Sequence, residues 1–155
     1  RKLKAISGRE NRWMSDINHQ ISKTLVQKYG KDTLFVLEDL TGVSFEESNL
    51  SRTAKQKYDL QSWAFYQLEQ FLTYKAHENR SEVLKVSAKY TSQRCPKCGT
   101  IHNGNRDHHR HLYRCQCGYS SNDDRIGAMN IQFLGTMWIS GDNNPRYERI
   151  TTASE

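Results

Sequence analysis

The cysteine pairs of Cys95-Pro96-Lys97-Cys98-Gly99 and Cys115-Gln116-Cys117-Gly118 are separated by sixteen mostly polar residues, and seven residues after the last cysteine stands the second acid of Asp123-Asp124. A tight Cys-x-x-Cys-Gly turn brings two sulfurs to one side of a metal, and zinc takes four such ligands at tetrahedral corners. Cys95, Cys98, Cys115 and Cys117 therefore describe a structural zinc site. The second pair has one intervening residue instead of two, which strains its turn. His102, His108, His109 and His111 lie between the pairs, so one of them could replace a cysteine; otherwise they decorate a solvated hairpin tip. Two disulfides are the competing reading. The Cys-Gly turns and the lack of a signal-peptide pattern favour metal binding in a reducing cytoplasm.

Working outward, 155 residues suit one domain plus a small appendage. Hydrophobic content of 35% and a mean hydropathy of −0.87 are low for a globular domain, which implies a large surface facing solvent, nucleic acid or missing protein. No run approaches the roughly 20 apolar residues that span a bilayer, so no membrane partner is expected. The net charge of +6, from 23 Lys and Arg against 17 Asp and Glu, is ordinary solubility on one reading. Beside a zinc knuckle carrying Arg94, Lys97, Arg106, Arg110 and Arg114 it points instead to phosphate-bearing partners, DNA or RNA.

Ser7-Gly8-Arg9-Glu10 fits a capping box that opens a helix. Met14, Ile17, Ile21, Leu25 and Tyr29 follow as an apolar stripe, and Gly30 is a natural stop. Residues 33–38 form a short apolar run without alternation, as in a strand covered on both faces, and end on Glu38. Residues 43–57 are polar and aperiodic, which predicts a mobile loop with Arg52, Lys55 and Lys57 near its end. Leu60, Ala64, Leu68, Phe71, Leu72 and Lys75 mark a second helix ending near Asn79, and 82–87 read as a second strand. The order strand, helix, strand predicts a βαβ-type α/β unit. A last helix runs from about Asn122 to Leu134, closed by Gly135, and a loose tail follows.

A lone acid at a strand or helix end is most often a cap or a surface charge. Asp124, however, shares a helix face with Gly127, Ala128, Ile131 and Leu134, so it is expected to lead the face that packs inward, while Asp123 heads a more polar line through Asn130. Clustered carboxylates can hold two divalent ions about 4 Å apart for phosphodiester cleavage. Magnesium fits, because it takes hard oxygen ligands. Glu38 and Asp124 are the candidate catalytic residues and magnesium ligands.

Lys89-Tyr90-Thr91-Ser92-Gln93-Arg94-Cys95-Pro96-Lys97-Cys98-Gly99 resembles the start of the zinc ribbon in transposon-encoded TnpB proteins, RNA-guided DNA endonucleases related to the compact type V CRISPR effectors. Glu38-Asp39-Leu40 resembles the second RuvC motif of that family. Asn122-Asp123-Asp124-Arg125-Ile126-Gly127-Ala128-Met129-Asn130-Ile131 resembles the third, with Asp124 in the place of its acid and departures at 126 and 127 from the usual Asn-Ala. Ser7–Glu10 and 18–22 resemble the helix before the Glu strand.

The resemblance implies an α/β fold: a partial RNase H-like (RuvC) domain lacking its first strands, with an inserted zinc ribbon. Residues 1–90 would be the nuclease part, 91–120 the ribbon, 121–135 the final acid-bearing helix and 136–155 a flexible tail. It implies structural zinc, catalytic magnesium, DNA and a guide RNA as partners, and a place in the cytoplasm near the nucleoid. The first RuvC Asp has no counterpart upstream of the first helix, so the chain alone is expected to be inactive without a missing N-terminal portion or a partner chain. Two alternatives remain: a non-catalytic nucleic-acid-binding fragment acting as a regulator or accessory subunit, and a plain zinc-stabilised interaction domain.

Overall fold

The computed structural model describes residues 2–40 and 52–148, with the side chains of 2–7 and 52–63 left aside. The chain is mixed α/β. Helix α1 (Lys2–Tyr29) leads to strand β1 (Leu34–Asp39), helix α2 (Arg52–Glu78) and strand β2 (Glu82–Ser87). Three short strands follow, β3 (Arg106–Asp107), β4 (Leu112–Arg114) and β5 (Ser120–Asn122), and then helix α3 (Asp123–Ile139). The strands make a two-stranded sheet, β1-β2, and a separate three-stranded antiparallel sheet, β3-β4-β5.

Two compact units divide the chain, one from Arg1–Phe35 and Gly42–Val83, the other from Val36–Thr41 and Leu84–Glu155. The first is built on α1 and α2. Its buried α1 line is Asn18, Ser22 and Val26, not the expected apolar stripe; Ile21 and Tyr29 of that stripe are exposed. Asn18 Nδ2 donates to the Ala64 carbonyl at 2.9 Å and to Gln67 Oε1 at 3.1 Å, and Lys75 Nζ donates to Ser22 Oγ at 2.7 Å. Small residues there (Ser22, Ala64, Ala76) allow close helix approach, and their hydrogen bonds make burial of the polar ones tolerable. An apolar period cannot see such a seam.

Three boundaries also differ from expectation. Helix α1 already runs from Lys2, so the Ser7 box does not start it. Residues 52–57 are helical rather than looped, because they contain good helix formers without an apolar period; the rest of the expected loop, 43–51, lies outside the described residues. The unit closes where Glu82 N–H donates to the Thr33 carbonyl at 2.9 Å, which sets the two strand starts side by side, as in a parallel βαβ unit. β1 shows no alternation of burial, but every residue in it is half-buried rather than buried.

The core of the second unit gathers Val86, Leu134 and Tyr147, with Val36, Leu84, Ile101 and Ile131 against them. Here α3 passes through Gly135 instead of stopping at it and ends at Ile139. Within the expected flexible tail, Tyr147 is buried and its hydroxyl donates to the Asn130 carbonyl at 2.8 Å, while 149–155 lie outside the described residues. Gly135 is a glycine of close approach, since an added Cβ would lie 2.5 Å from Val36 Cγ2. A helix-interior Gly→Ala change normally stabilises by up to about 1 kcal/mol. Against the stiff β-branched Val36 the clash should win, so Gly135→Ala is expected to destabilise by about 1–3 kcal/mol in urea unfolding. Adding Val36→Ala should recover part of that loss, and a more stable Gly135→Ala protein would contradict the packing.

Candidate metal centre and carboxylate cluster

The two cysteine turns are built alike despite their different lengths. Gly99 N–H donates to the Cys95 carbonyl at 2.9 Å and Gly118 N–H to the Cys115 carbonyl at 3.0 Å. Both glycines adopt positive φ, +77° and +84°, where a side chain would strain the turn. Cys95 N–H then bonds the Thr100 carbonyl and Cys115 N–H the Tyr119 carbonyl, closing each knuckle. The one-residue spacing of the second pair is thus absorbed by the turn.

All four sulfurs lie within 4.8 Å of one another. Cys95 Sγ is 3.6 Å from Cys117 Sγ, and Cys98 Sγ is 3.6 Å from Cys115 Sγ. A tetrahedral zinc with bonds of about 2.3 Å would set its sulfurs about 3.8 Å apart, so the group fits a metal of that kind. Among the described residues no histidine joins the group. The Thr100 hydroxyl, 3.3 Å from Cys98 Sγ, and then its backbone N–H pull the Cys98 thiol down to about 6. At Cys115 the Cys117 backbone N–H favours the thiolate, but burial and the surrounding sulfurs together push it up to about 12. Burial likewise raises Cys95. A divalent ion would ease that conflict by bonding all four sulfurs as thiolates and offsetting half of their charge.

The cluster is joined to α3 by packing. Tyr113 and Ile126 are fully buried with Cys95, and Cys115 and Tyr119 pack against them. The Tyr113 hydroxyl donates to the Gln93 carbonyl at 3.1 Å and accepts from Asn105 Nδ2 at 3.1 Å, and burial pushes its pKa up to about 12. β5 runs straight into α3, whose N-cap is Asn122; its side chain accepts from the N–H groups of Asp124 and Arg125.

Of the two acids there, the structure reverses the expected orientation. Asp123 is 1% exposed and Asp124 is 73% exposed. The buried line of α3 runs Asp123, Ile126, Asn130 and Leu134, so Asp124 stands beside the inward face rather than at its head. Burial of Asp123 is tolerable because Arg106 Nε donates to its Oδ2 at 2.8 Å and His111 Nδ1 lies 3.4 Å from its Oδ1. The Arg106 hydrogen bond holds its carboxyl below the usual range, more than offsetting desolvation. His111, Asp123 and Asp124 form the second group within 4.8 Å.

Glu38 is not part of that group. Its Oε1 accepts from the Thr91 hydroxyl at 2.6 Å, the short distance of a charge-assisted bond. Asn130 Nδ2 donates to the carbonyls of Thr91 at 2.7 Å and Arg94 at 2.8 Å, so α3 holds the segment that holds Glu38. Arg94 is 4.7 Å from the centre of the Tyr147 ring and 5.3 Å from that of Phe133.

With this geometry, known proteins can be compared. The Cas12f1-like TNB domain model matches residues 65–131. The CRISPR-associated endodeoxyribonuclease Cas12f1 of Sulfoacidibacillus thermotolerans is 38% identical over 118 residues, covering 74% of this chain and 25% of the relative. The TnpB-like protein MJ0751 of Methanocaldococcus jannaschii is 33% identical over 138 residues, covering 84% and 47%. The chain carries a region related to TnpB-like proteins and compact type V effectors. A Cas12f1 complex with sgRNA and target DNA shares the fold at a TM-score of 0.57 and 17% identity, over 84% of this chain and 36% of that one.

The chain spans between a quarter and a half of the curated relatives named here. A match over 84% of the chain necessarily reaches both Glu38 and Asp124, so the TnpB-like likeness is not confined to the cysteine knuckles. Arg106, His111, Thr91 and Asn130 complete the surroundings of the acids. In the sequence Thr91 and Asn130 stand within the family-like strings, whereas Arg106 and His111 stand out only as a basic residue and a hairpin histidine, not as partners of the acids.

The depressed Asp123 carboxyl gives a test of its pairing. Its stabilisation is present above the unfolded carboxyl value, about 3.9, and is lost as pH falls through the lower folded value. Between about pH 5 and about pH 3 the natural protein should therefore lose more stability than Asp123→Asn, measured as urea midpoints. Proton competition at the cysteines is common to both proteins and cancels in the comparison. Equal losses would mean that the Arg106 pair does not favour the charged form.

Proposed function

We propose that this chain supplies the RuvC-like and zinc-ribbon part of a TnpB-type, RNA-guided DNA endonuclease. Zinc is held by Cys95, Cys98, Cys115 and Cys117, and magnesium by Glu38 and Asp124. The observation that carries the reading is the likeness to a TnpB-like protein across both acid-bearing elements, joined to a cysteine group of zinc dimensions.

The donor chemistry fits both ions. Four sulfurs suit zinc, and the exposed Asp124 carboxylate with the Thr91-anchored Glu38 offers hard oxygens for magnesium. When bound, magnesium would activate water and stabilise the leaving oxygen in phosphodiester hydrolysis. Thr91 and Asn130 fix Glu38 at the end of β1, and the Asn122 cap fixes Asp124 in the first turn of α3. Two carboxylates are fewer than the site needs, so a third acid from a longer protein or a partner chain completes it. The basic surface engages DNA and guide RNA. Among the described residues no helix is long and apolar enough to cross a membrane.

In the longest protein that its reading frame encodes, Glu38→Gln and Asp124→Asn should each reduce magnesium-dependent DNA cleavage by at least about a hundredfold. Zinc content and circular dichroism should stay unchanged. Cleavage that survives both substitutions would remove these acids from the site and favour the non-catalytic binding module.

The purified chain should contain about one zinc, and chelation should loosen residues 91–122 before the rest, since ligand binding contributes that segment's folding energy. It should also bind DNA or RNA with an affinity that falls steeply with salt, as Lys and Arg displace counterions. A chain without metal, or with salt-insensitive binding, would contradict the corresponding half of the reading.

A further inference from the structure

Arg106 and His111 belong to the cysteine hairpin, between the second and third cysteines, yet their side chains meet the acids at the start of α3. Arg106 Nε is 2.8 Å from Asp123 Oδ2, and its Nη2 is 3.8 Å from Asp124 Oδ1. His111 Nδ1 is 3.4 Å from Asp123 Oδ1 and 3.9 Å from Asp124 Oδ2. The backbone repeats the link, with Asp123 N–H donating to the His111 carbonyl at 3.3 Å. That bond extends the β4–β5 ladder, in which Leu112 faces Asn122, by one residue into the helix. His111 holds a left-handed conformation, φ +50°, which a non-glycine residue adopts at a cost when its surroundings require it. Arg106 in turn is fixed opposite Tyr113, the buried ring packed on the cysteines.

We propose that Arg106 and His111 are positioning residues: the cysteine hairpin grips the buried Asp123 and so sets where the neighbouring exposed Asp124 stands. The division of labour follows from exposure. Asp123, 1% exposed and paired with a guanidinium, is an anchor; Asp124, one residue on, is open to a ligand. Because the grip runs through β3 and β4, folding of the hairpin around its metal is transmitted to the first turn of α3. The inference deepens the proposed function by rigidly linking its two metal sites, and it rests on that reading for the role of Asp124.

The test uses hydrogen exchange at the Arg125 amide, which donates to the Asn122 cap at 3.2 Å; the Asp124 amide is set aside because it also donates to Asp123 Oδ1 at 3.0 Å. The full chain loaded with zinc, or with cobalt as a spectroscopic substitute, is compared with Arg106→Met, Asp123→Asn and the double variant. Each single change should speed exchange there by about tenfold or more, with the cobalt–thiolate absorption unchanged. The double variant should exchange no faster than the faster single one, because both break one contact. Arg106→Lys should restore part of the protection, and chelating the metal from the natural chain should mimic Arg106→Met. If Arg106→Met fails to fold, Asp123→Asn alone must still speed exchange with the metal spectrum intact.

Exchange rates that match the natural chain, or single effects that simply add, would overturn the proposal. The readout involves neither nucleic acid nor magnesium, so the positioning link and the nuclease reading can fail separately.

Discussion

Four sulfurs within 4.8 Å of one another are the constraint on which the second unit depends. Charged thiolates at that spacing repel, and Cys95 carries its sulfur in a buried position. The protein's own groups settle the conflict unevenly, drawing Cys98 down through Thr100 and leaving Cys95 and Cys115 raised. A cation at the centre is the one addition that suits all four. What it would organise is more than the knuckles, because Tyr113 and Ile126 are buried against Cys95 and carry the order of the cysteines into β4 and α3. The three short strands have only two or three residues each, and strands of that length are not independently stable.

Helix α3 is the other organising element, and Asn130 shows how. Its side chain donates to the carbonyls of Thr91 and Arg94, its carbonyl accepts from Tyr147, and its Oδ1 lies 3.3 Å from an Arg94 nitrogen. A buried amide with this many partners ties the segment before the first cysteine, the helix and the residues after it into one polar network. Glu38 belongs to the same network through Thr91. Its carboxylate is thereby fixed at the end of β1 with a single strong hydrogen bond, which leaves lone pairs for another ligand.

The sequence made the elements legible where chemistry is local. Glycine at positive φ after a cysteine pair, a short apolar strand and a helix opening on Asn-Asp-Asp are short-range signals, and β2 was found with its limits correct. What was not legible required knowing a partner. The buried seam of α1 is polar because Ala64 and Lys75 lie opposite it, and Gly135 sits inside a helix because Val36 lies opposite it. The inward acid is Asp123 because Arg106 and His111 reach it, and neither residue is marked by any spacing. A helical wheel counting apolar neighbours assigned that position to Asp124, since it cannot credit a charge whose partner comes from a distant hairpin.

The pair Asp123-Asp124 shows how one helix start serves two needs. Adjacent helical residues point about 100° apart, so two successive carboxylates differ in burial even though both approach Arg106 and His111. The buried one requires a cation in fixed geometry, and Arg106 supplies it from a strand whose position depends on the cysteine hairpin. The exposed one is then placed without using its own lone pairs for support, apart from looser approaches of 3.8 Å to Arg106 and 3.9 Å to His111. An exposed carboxylate at a frayed helix end would sample many positions, and holding it for a metal would lose that freedom at the moment of binding. Rigid support through the preceding residue meets that entropic cost during folding. Under the proposed function, this is a physical reason for two acids where a single ligand would suffice.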